Sequence, residues 1–305
     1  MQPHSALARL QQIATLSLLS CAVGWLAWHW QRSPWVAVAG FAAIALGYAV
    51  FLAIEFIALY FISRSDTPPA PSGWELALAW AGETLMAPLV FCWRQPFAWN
   101  EVPDHLQGPG LAGRRGVVFI HGFVCNRGFW TPWLKLLRER GHAFVAVNLE
   151  PVFGSIDEYA PLIDDAVQRV TQATGRRPVL VCHSMGGLAA RGWLRTRQAD
   201  ARVDHVITIG TPHRGTWLGR FSHLTNGRQM RLQSEWLGEL GHYATEERHV
   251  GFTCWYSNCD NIAMPTSTGT LPGADNRLVR GTAHVELAFE PEVMAHSLAR
   301  ITASR

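Results

Sequence analysis

Apolar positions are distributed along this chain in two ways. Near the N-terminus they run without a break. Residues 13–30 carry no charge, and residues 35–62 are interrupted only by Glu55. A bilayer core takes about 20 consecutive apolar residues to cross, so each run predicts a membrane-spanning helix. The short connection Gln31-Arg32-Ser33-Pro34 makes the pair a helical hairpin. Trp25, Trp28, Trp30 and Trp35 cluster around that connection and Tyr60 marks the other end, as expected where aromatic rings sit at headgroup level. Glu55 lies near the far end of the second run and reads as an interfacial carboxylate reaching water.

Beyond residue 113 the pattern changes to short strand-like runs alternating with helical periodicity. Val117-Val118-Phe119-Ile120 has the composition of a buried strand. A helix is predicted over 131–140, a strand over 143–148 and a long helix over 155–174. On that helix Tyr159, Leu162, Ile163, Ala166, Val167 and Val170 share one face. Further strands are predicted at 179–182, 203–209 and 252–256, the first of them opened by Pro178. This alternation predicts an α/β domain with a mostly parallel sheet and helices on both faces. Residues 217–250 lack strand character and read either as a lid inserted near one edge of the sheet or as an ordinary surface helix pair.

Between the two regimes, Thr67-Pro68-Pro69-Ala70-Pro71-Ser72-Gly73 is a linker by composition. Residues 74–93 are mostly apolar but contain Glu75, Glu83 and Pro88, too broken for a third span. They read as helix lying on the membrane or on the neighbouring domain. The predicted organisation is a hairpin over 1–64, a linker with an interfacial helical segment over 65–112, and the α/β domain over 113–305.

Composition supports this division. Of 305 residues, 49% are hydrophobic and 16% charged, apolar for a soluble protein, with the excess at the N-terminus. The length leaves room for one domain plus an appendage. Arg9 and Arg64 flank the hairpin and Arg32 sits in its loop, so positive-inside counting puts both ends of the hairpin in the cytoplasm, two charges to one. Leu18-Leu19-Ser20-Cys21 has a loose likeness to a lipoprotein processing site, but a second long apolar run would then serve no purpose. The six cysteines read as free thiols acting as small hydrophobes, with a Cys254–Cys259 bridge left open for an oxidising compartment, which their spacing does not decide.

Chemistry concentrates at Val179-Leu180-Val181-Cys182-His183-Ser184-Met185-Gly186-Gly187, where a strand ends in a Ser and a helical pattern begins. In a nucleophile elbow the turn is so tight that the Ser is held in a strained, exposed conformation, and small residues are needed two before and two after it. Gly186 meets the requirement; Cys182 stands where Gly is usual. The plain alternative is a Ser-Met-Gly-Gly turn capping a helix. Partners occur in the order an elbow requires. Upstream, the first strand ends in His121-Gly122-Phe123, where a backbone N–H of an oxyanion hole belongs. Downstream, Asp260 follows a strand and His284 sits in a turn before the last helix. Ser, Asp, His in chain order is one of three known triad orders. Asp275 competes with Asp260 for the acid. The scattered histidines His205, His213, His223, His242 and His249 lack paired ligand spacing, and Gly186-Gly187 does not open a dinucleotide fold, so neither metal nor cofactor is expected.

At these residues the chain resembles a bacterial lipase or esterase of the α/β-hydrolase superfamily, from about residue 115 to the C-terminus. The resemblance rests on His121-Gly122-Phe123, the elbow at Ser184, Gly210-Thr211-Pro212-His213-Arg214-Gly215-Thr216, Asp260-Asn261-Ile262-Ala263-Met264-Pro265 and Ala283-His284-Val285. It implies an α/β-hydrolase fold after the hairpin, Ser184 as nucleophile, His284 as base, Asp260 as acid, and backbone N–H groups of Phe123 and Met185 as the oxyanion hole. The activity so implied is cleavage of a carboxylic ester; the apolar runs and their flanking arginines add the expectation of a multi-pass protein of the bacterial inner membrane, its α/β domain on the cytoplasmic side. An ester or lipid is the expected partner and nucleic acid is not. Acyl transfer or thioester cleavage with the same triad, and a catalytically silent membrane scaffold, are the alternatives.

Overall fold

The computed structural model describes residues 5–243 and 251–303. Helix α1 (Ala6–Trp30) is capped by Ser5, whose hydroxyl accepts the Ala8 N–H, and α2 (Pro34–Ser63) starts on a proline at its first position. They run antiparallel as the hairpin their sequences predict. A Cβ at Gly40 would enter the Trp25 indole, so the small residue sets how closely the helices approach. Both helices leave most of their apolar side chains outside the protein: Trp28, Trp35, Val50 and Phe51 are all exposed.

Residues 74–93 form a single helix. Helix α3 (Gly73–Pro88) opens with a capping box between Ser72 and Glu75 and continues through one π-helical turn, Leu89–Arg94, into the short α4 (Gln95–Phe97). The whole, Gly73–Phe97, is as long and apolar as a membrane span. Its ends nevertheless both touch the α/β domain: Arg280 donates to Glu75 at 2.8 Å and the Asn126 N–H donates to Gln95 at 3.0 Å. The helix therefore lies along the domain. Ala79, Glu83 and Val90 face inward, while Trp74, Leu78, Leu85 and Trp93 face out.

The α/β domain is built on a six-stranded sheet in the order β2-β1-β3-β4-β5-β6, parallel throughout. In chain order its elements are β1 (Val117–Ile120), α5 (Thr131–Glu139), β2 (Phe144–Ala146), α6 (Ala160–Thr174), β3 (Val179–His183), α7 (Met185–Arg197) and β4 (His205–Ile209). Then come α8 (Thr225–Gln229), α9 (Glu235–Tyr243), β5 (Phe252–Ser257), β6 (Asp275–Val279) and α10 (Pro291–Thr302). Strands β1, β3 and β4 are buried at every position because both faces are covered. Val118, Ile120, Leu180 and Cys182 join one core with α6 and α7. Val117, Phe119, Val179 and Val181, one residue out of step, join the other with α5 and α10. On α6 the expected face is buried except for Leu162, which turns outward.

The segment considered as a lid holds α8 and α9. Helix α9 is fastened to α7 by the Arg195–Glu239 ion pair and by the Tyr243 hydroxyl on the Leu194 carbonyl. Residues 244–250 of that segment, including His249, lie outside the described residues.

The hairpin is not set apart from the domain. Phe56 and Leu59 of α2 and Ala79 of α3 form one buried cluster with Cys259, Met264 and Ala283 from the loops after β5 and β6. Burying two such side chains contributes roughly 1.5–3 kcal/mol each. Glu55, expected to reach water, is instead 7% exposed and accepts the Asn261 side-chain N–H at 2.7 Å. The apolar run around it carries it into a protein contact, so the carboxylate meets a loop rather than solvent.

Candidate active site

Ser184 sits between the end of β3 and the start of α7 with φ 53° and ψ −127°, a conformation rarely adopted by a residue with a side chain. Two features hold it there. Its N–H donates to the Ile209 carbonyl of β4 at 2.9 Å. Gly186 lets α7 close against β1: a Cβ there would lie 2.6 Å from the His121 carbonyl oxygen and nearer still to that of Ile120. These are backbone atoms that cannot step aside. Cys182, at the position where Gly is usual, is fully buried within β3 between Ile120 and Thr208, so its thiol costs the turn no space.

The His121-Gly122-Phe123 loop lies against the elbow, since a Cβ on Gly122 would come 2.8 Å from that of Ser184. The Leu149 N–H donates to His121 Nε2 at 3.0 Å. Nε2 is thus unprotonated, and Nδ1–H donates to the Gly122 carbonyl at 2.9 Å. Burial keeps this imidazole neutral, its pKa lowered to about 4. Fixing the Gly122 carbonyl on His121 turns the Phe123 N–H of the same trans peptide the opposite way. Neither that N–H nor the Met185 N–H at the start of α7 has a hydrogen-bond partner among the described residues. Val124, next in the loop, is held at φ 52°, a strained value for a β-branched residue. The Phe123 ring packs on Phe153 at 6.0 Å. An apolar cavity of about 850 Å³ opens beside Phe153, lined by Leu7 and Leu10 of α1 and by residues 150–154.

Asp260 and His284 meet in the loops after β5 and β6. His284 Nδ1 lies 2.8 and 2.9 Å from the two Asp260 carboxylate oxygens. Asp260 Oδ1 also accepts the N–H groups of Ile262 and Ala263, at 2.9 and 2.8 Å. Burial opposes protonation of His284, but the Asp260 charge, aided by Glu83 and Glu55, outweighs it and holds the imidazole above its ordinary 6.5. Gly210 packs against the pair. It has φ 58°, and a Cβ there would lie 3.0 Å from Asp260 Oδ2 and 3.2 Å from His284 Nδ1. His183 Nε2–H donates to the His284 carbonyl at 3.1 Å, and the two rings lie 4.6 Å apart. Burial first, and the adjacent His284 second, hold the His183 pKa well below 6.5, so it stays neutral. His183 thereby joins the elbow to the His284 loop directly. Among the described residues no hydrogen bond links the Ser184 hydroxyl to His284; such bonds are often long before substrate binds.

All five residues read from the sequence fall beyond the C-terminal ends of β1, β3, β5 and β6, four on loops and Met185 at the first position of α7. Asp275 does not. It opens β6, exposed, and pairs with Arg277 at 2.7 Å. Cys254 and Cys259 are both free and buried, and burial pushes both thiols up to about 12. Sequence reasoning passed over His183, Gly210 and Asn261, although all three lie inside or beside motifs it quoted. It also passed over Glu83, whose signal was a charge within an apolar helix.

Residues 117–290 match the model described as the alpha/beta hydrolase family. The chain belongs to that family. Among curated proteins this hydrolase is 27% identical over 124 residues to the AB hydrolase superfamily protein YfhM of Bacillus subtilis, covering 37% of the chain and 42% of that protein. It is 34% identical over 86 residues to the probable esterase PIR7A of Oryza sativa, covering 25% and 32%. The match thus spans less than half the length of either relative. Its fold is similar to Aspergillus fumigatus lipase B, with a TM-score of 0.58, 13% identity and coverage of 97% of this chain and 79% of that one. Bacillus licheniformis lipase BlEst2 in mature form gives a TM-score of 0.53 at 15% identity, covering 66% and 96%. At such identities the likeness is one of fold.

Proposed function

We propose that this hydrolase is a membrane-anchored serine esterase acting on carboxylic esters, with Ser184 as nucleophile, His284 as base and Asp260 as its orienting acid. The observation that carries the reading is the buried Asp260–His284 pair, joined through His183 to a strained Ser184. Asp260 on Nδ1 keeps the Nε2 lone pair available. His284 then takes the Ser184 proton as Oγ attacks the ester carbonyl, and returns it to the leaving alcohol. Water repeats the sequence on the acyl-enzyme. The unpartnered N–H groups of Phe123 and Met185 receive the oxyanion, Met185 with the added field of the α7 N-terminus.

The anchor reading is supported by three helices long and apolar enough to cross a membrane, whose outward faces are aromatic and aliphatic. In this reading α1 and α2 span, α3 lies in the interface, and Arg9 and Arg64 put the hydrolase domain on the cytoplasmic side of a bacterial inner membrane. An acyl chain from the bilayer would then find the apolar cavity between α1 and Phe153 beside the Phe123 loop. The test is fluorophosphonate labelling and hydrolysis of short and long acyl esters by the full chain in detergent. Labelling and turnover that persist in Ser184→Ala would overturn it.

A further inference from the structure

Three successive backbone N–H groups at the base are tied to the N-terminal helices. His284 N–H donates to Asn261 Oδ1 at 3.3 Å, and Asn261 in turn donates to Glu55 of α2 at 2.7 Å. Val285 N–H donates to both Glu83 oxygens of α3, at 3.1 and 3.2 Å, and Glu286 N–H to one of them at 3.3 Å. Both carboxyl groups are buried, Glu83 to 2% and Glu55 to 7% exposure, where no water substitutes for a lost partner. Helix α1 supplies a similar tie to the strained oxyanion loop, Gln11 Nε2 to the Val124 carbonyl at 3.4 Å.

From this we infer that Glu55 and Glu83 are positioning residues: α2 and α3 set the loops that hold Asp260 and His284, so the apolar helices are part of the active site and not only its anchor. The inference rests on the triad reading above. Glu83 carboxyl oxygens accept the N–H groups that follow His284, and the Asn261 amide, held by Glu55, accepts that of His284 itself. Removing either carboxyl group leaves buried N–H groups unpaired, and the loop must shift to satisfy them. A displacement of about 1 Å at a catalytic base lowers turnover about 100-fold.

The experiment uses the full chain in detergent with a short soluble ester. Glu83→Ala and Glu55→Ala should each lower kcat about 100-fold with KM within about twofold, because the loop acts on the base and not on substrate binding. Glu83→Gln keeps one acceptor oxygen and should recover to within about tenfold of wild type. Asn261→Ala should add nothing to Glu55→Ala, since both break one relay. Val50→Ala, on the exposed face of α2 away from these loops, should spare kcat. Wild-type kcat in folded Glu83→Ala, or equal losses in the Ala and Gln variants, would overturn the inference. A readout independent of turnover separates it from the triad reading. In chain labelled with ¹⁵N-histidine, the downfield His284 Nδ1 proton should be present in wild type and Glu83→Gln and lost in Glu83→Ala. Its persistence in Glu83→Ala refutes positioning even if the wild type proves to hydrolyse no ester.

Discussion

Replacing Asp260 by Asn tests the triad more sharply than removing it. Asp260 Oδ1 accepts two backbone N–H groups, from Ile262 at 2.9 Å and Ala263 at 2.8 Å. An amide must keep its oxygen there, because an NH₂ facing two N–H donors would be repelled. The amide nitrogen therefore takes the place of Oδ2, 2.9 Å from His284 Nδ1, while the retained oxygen stays 2.8 Å from it. Nδ1–H then faces a donor as well as a neutral acceptor, which favours the tautomer with the proton on Nε2, where it blocks removal of the Ser184 proton. The fold is preserved, while the base loses its preferred tautomer and its charged partner. Losing the tautomer and the charge that stabilises the imidazolium costs about 10³- to 10⁴-fold in kcat, equivalent to ~4–5.5 kcal/mol of transition-state stabilisation. KM should hardly move. The assay is steady-state hydrolysis of p-nitrophenyl butyrate by the full chain in detergent, with circular dichroism to confirm folding. Folded Asp260→Asn retaining kcat within about tenfold of wild type, with Ser184→Ala inactive, would refute the assignment of the acid. So would a greater loss in Asp275→Asn, since Asp275 is exposed and meets only Arg277.

Other expectations follow from the same contacts. Because neutral His284 is the reactive form and its pKa is held above 6.5, kcat/KM should fall on the acid side with an apparent pKa above that value, checked by a pH–rate profile. The same shift links to stability: a folded-state pKa raised above the unfolded one adds stability fully present below about 6.5 and lost as pH rises through the folded value. Wild type should therefore exceed Asp260→Asn in Tm by more at pH about 6 than at pH about 9. Gly186→Ala should lower stability by about 3 kcal/mol or more, seen as a lost or strongly lowered Tm, because its Cβ meets two backbone carbonyls. Deleting residues 1–67 removes the burial of Phe56 and Leu59, ~3–6 kcal/mol against a typical total of about 5–15, so the remainder should aggregate or unfold near ambient temperature by light scattering and thermal melt.

The sheet was legible because its strands obey local rules. Val117–Ile120 and residues 179–182 are apolar at every position, as strands covered on both faces tend to be, and the intervening helical periods forced parallel crossovers. Strand β6 was less so: Asp275, Asn276 and Arg277 are polar because this edge strand is covered incompletely. Leu162 illustrates the tolerance of the helical rule, since a position on the margin of the apolar face can turn to solvent without loss of the helix. The elbow was legible for a different reason. Its geometry demands Gly at one position and a small residue at another, a steric condition written directly into neighbouring residues.

What local rules cannot carry is a contact between elements that the chain separates by some 200 positions. Glu83 and Val285 are 202 residues apart, and Glu55 and Asn261 are 206 apart. Each carboxylate was visible as an anomaly in an apolar helix. A charge there has two ways to avoid isolation in a low-dielectric medium: it reaches the water beyond the membrane edge, or it finds buried donors in the protein. Sequence position fixes the first option, because distance along a helix measures depth. It says nothing of the second, which depends on the donors brought by tertiary folding. Asn261 looked like one member of a family motif and Val285 like a residue beside the base, neither with a reason to contact an N-terminal apolar helix. Only when α2 and α3 are seen packed across the loops after β5 and β6 do the anomalies and the motifs account for one another. Glu55 and Glu83 sit where buried N–H groups of the candidate active-site loops need acceptors.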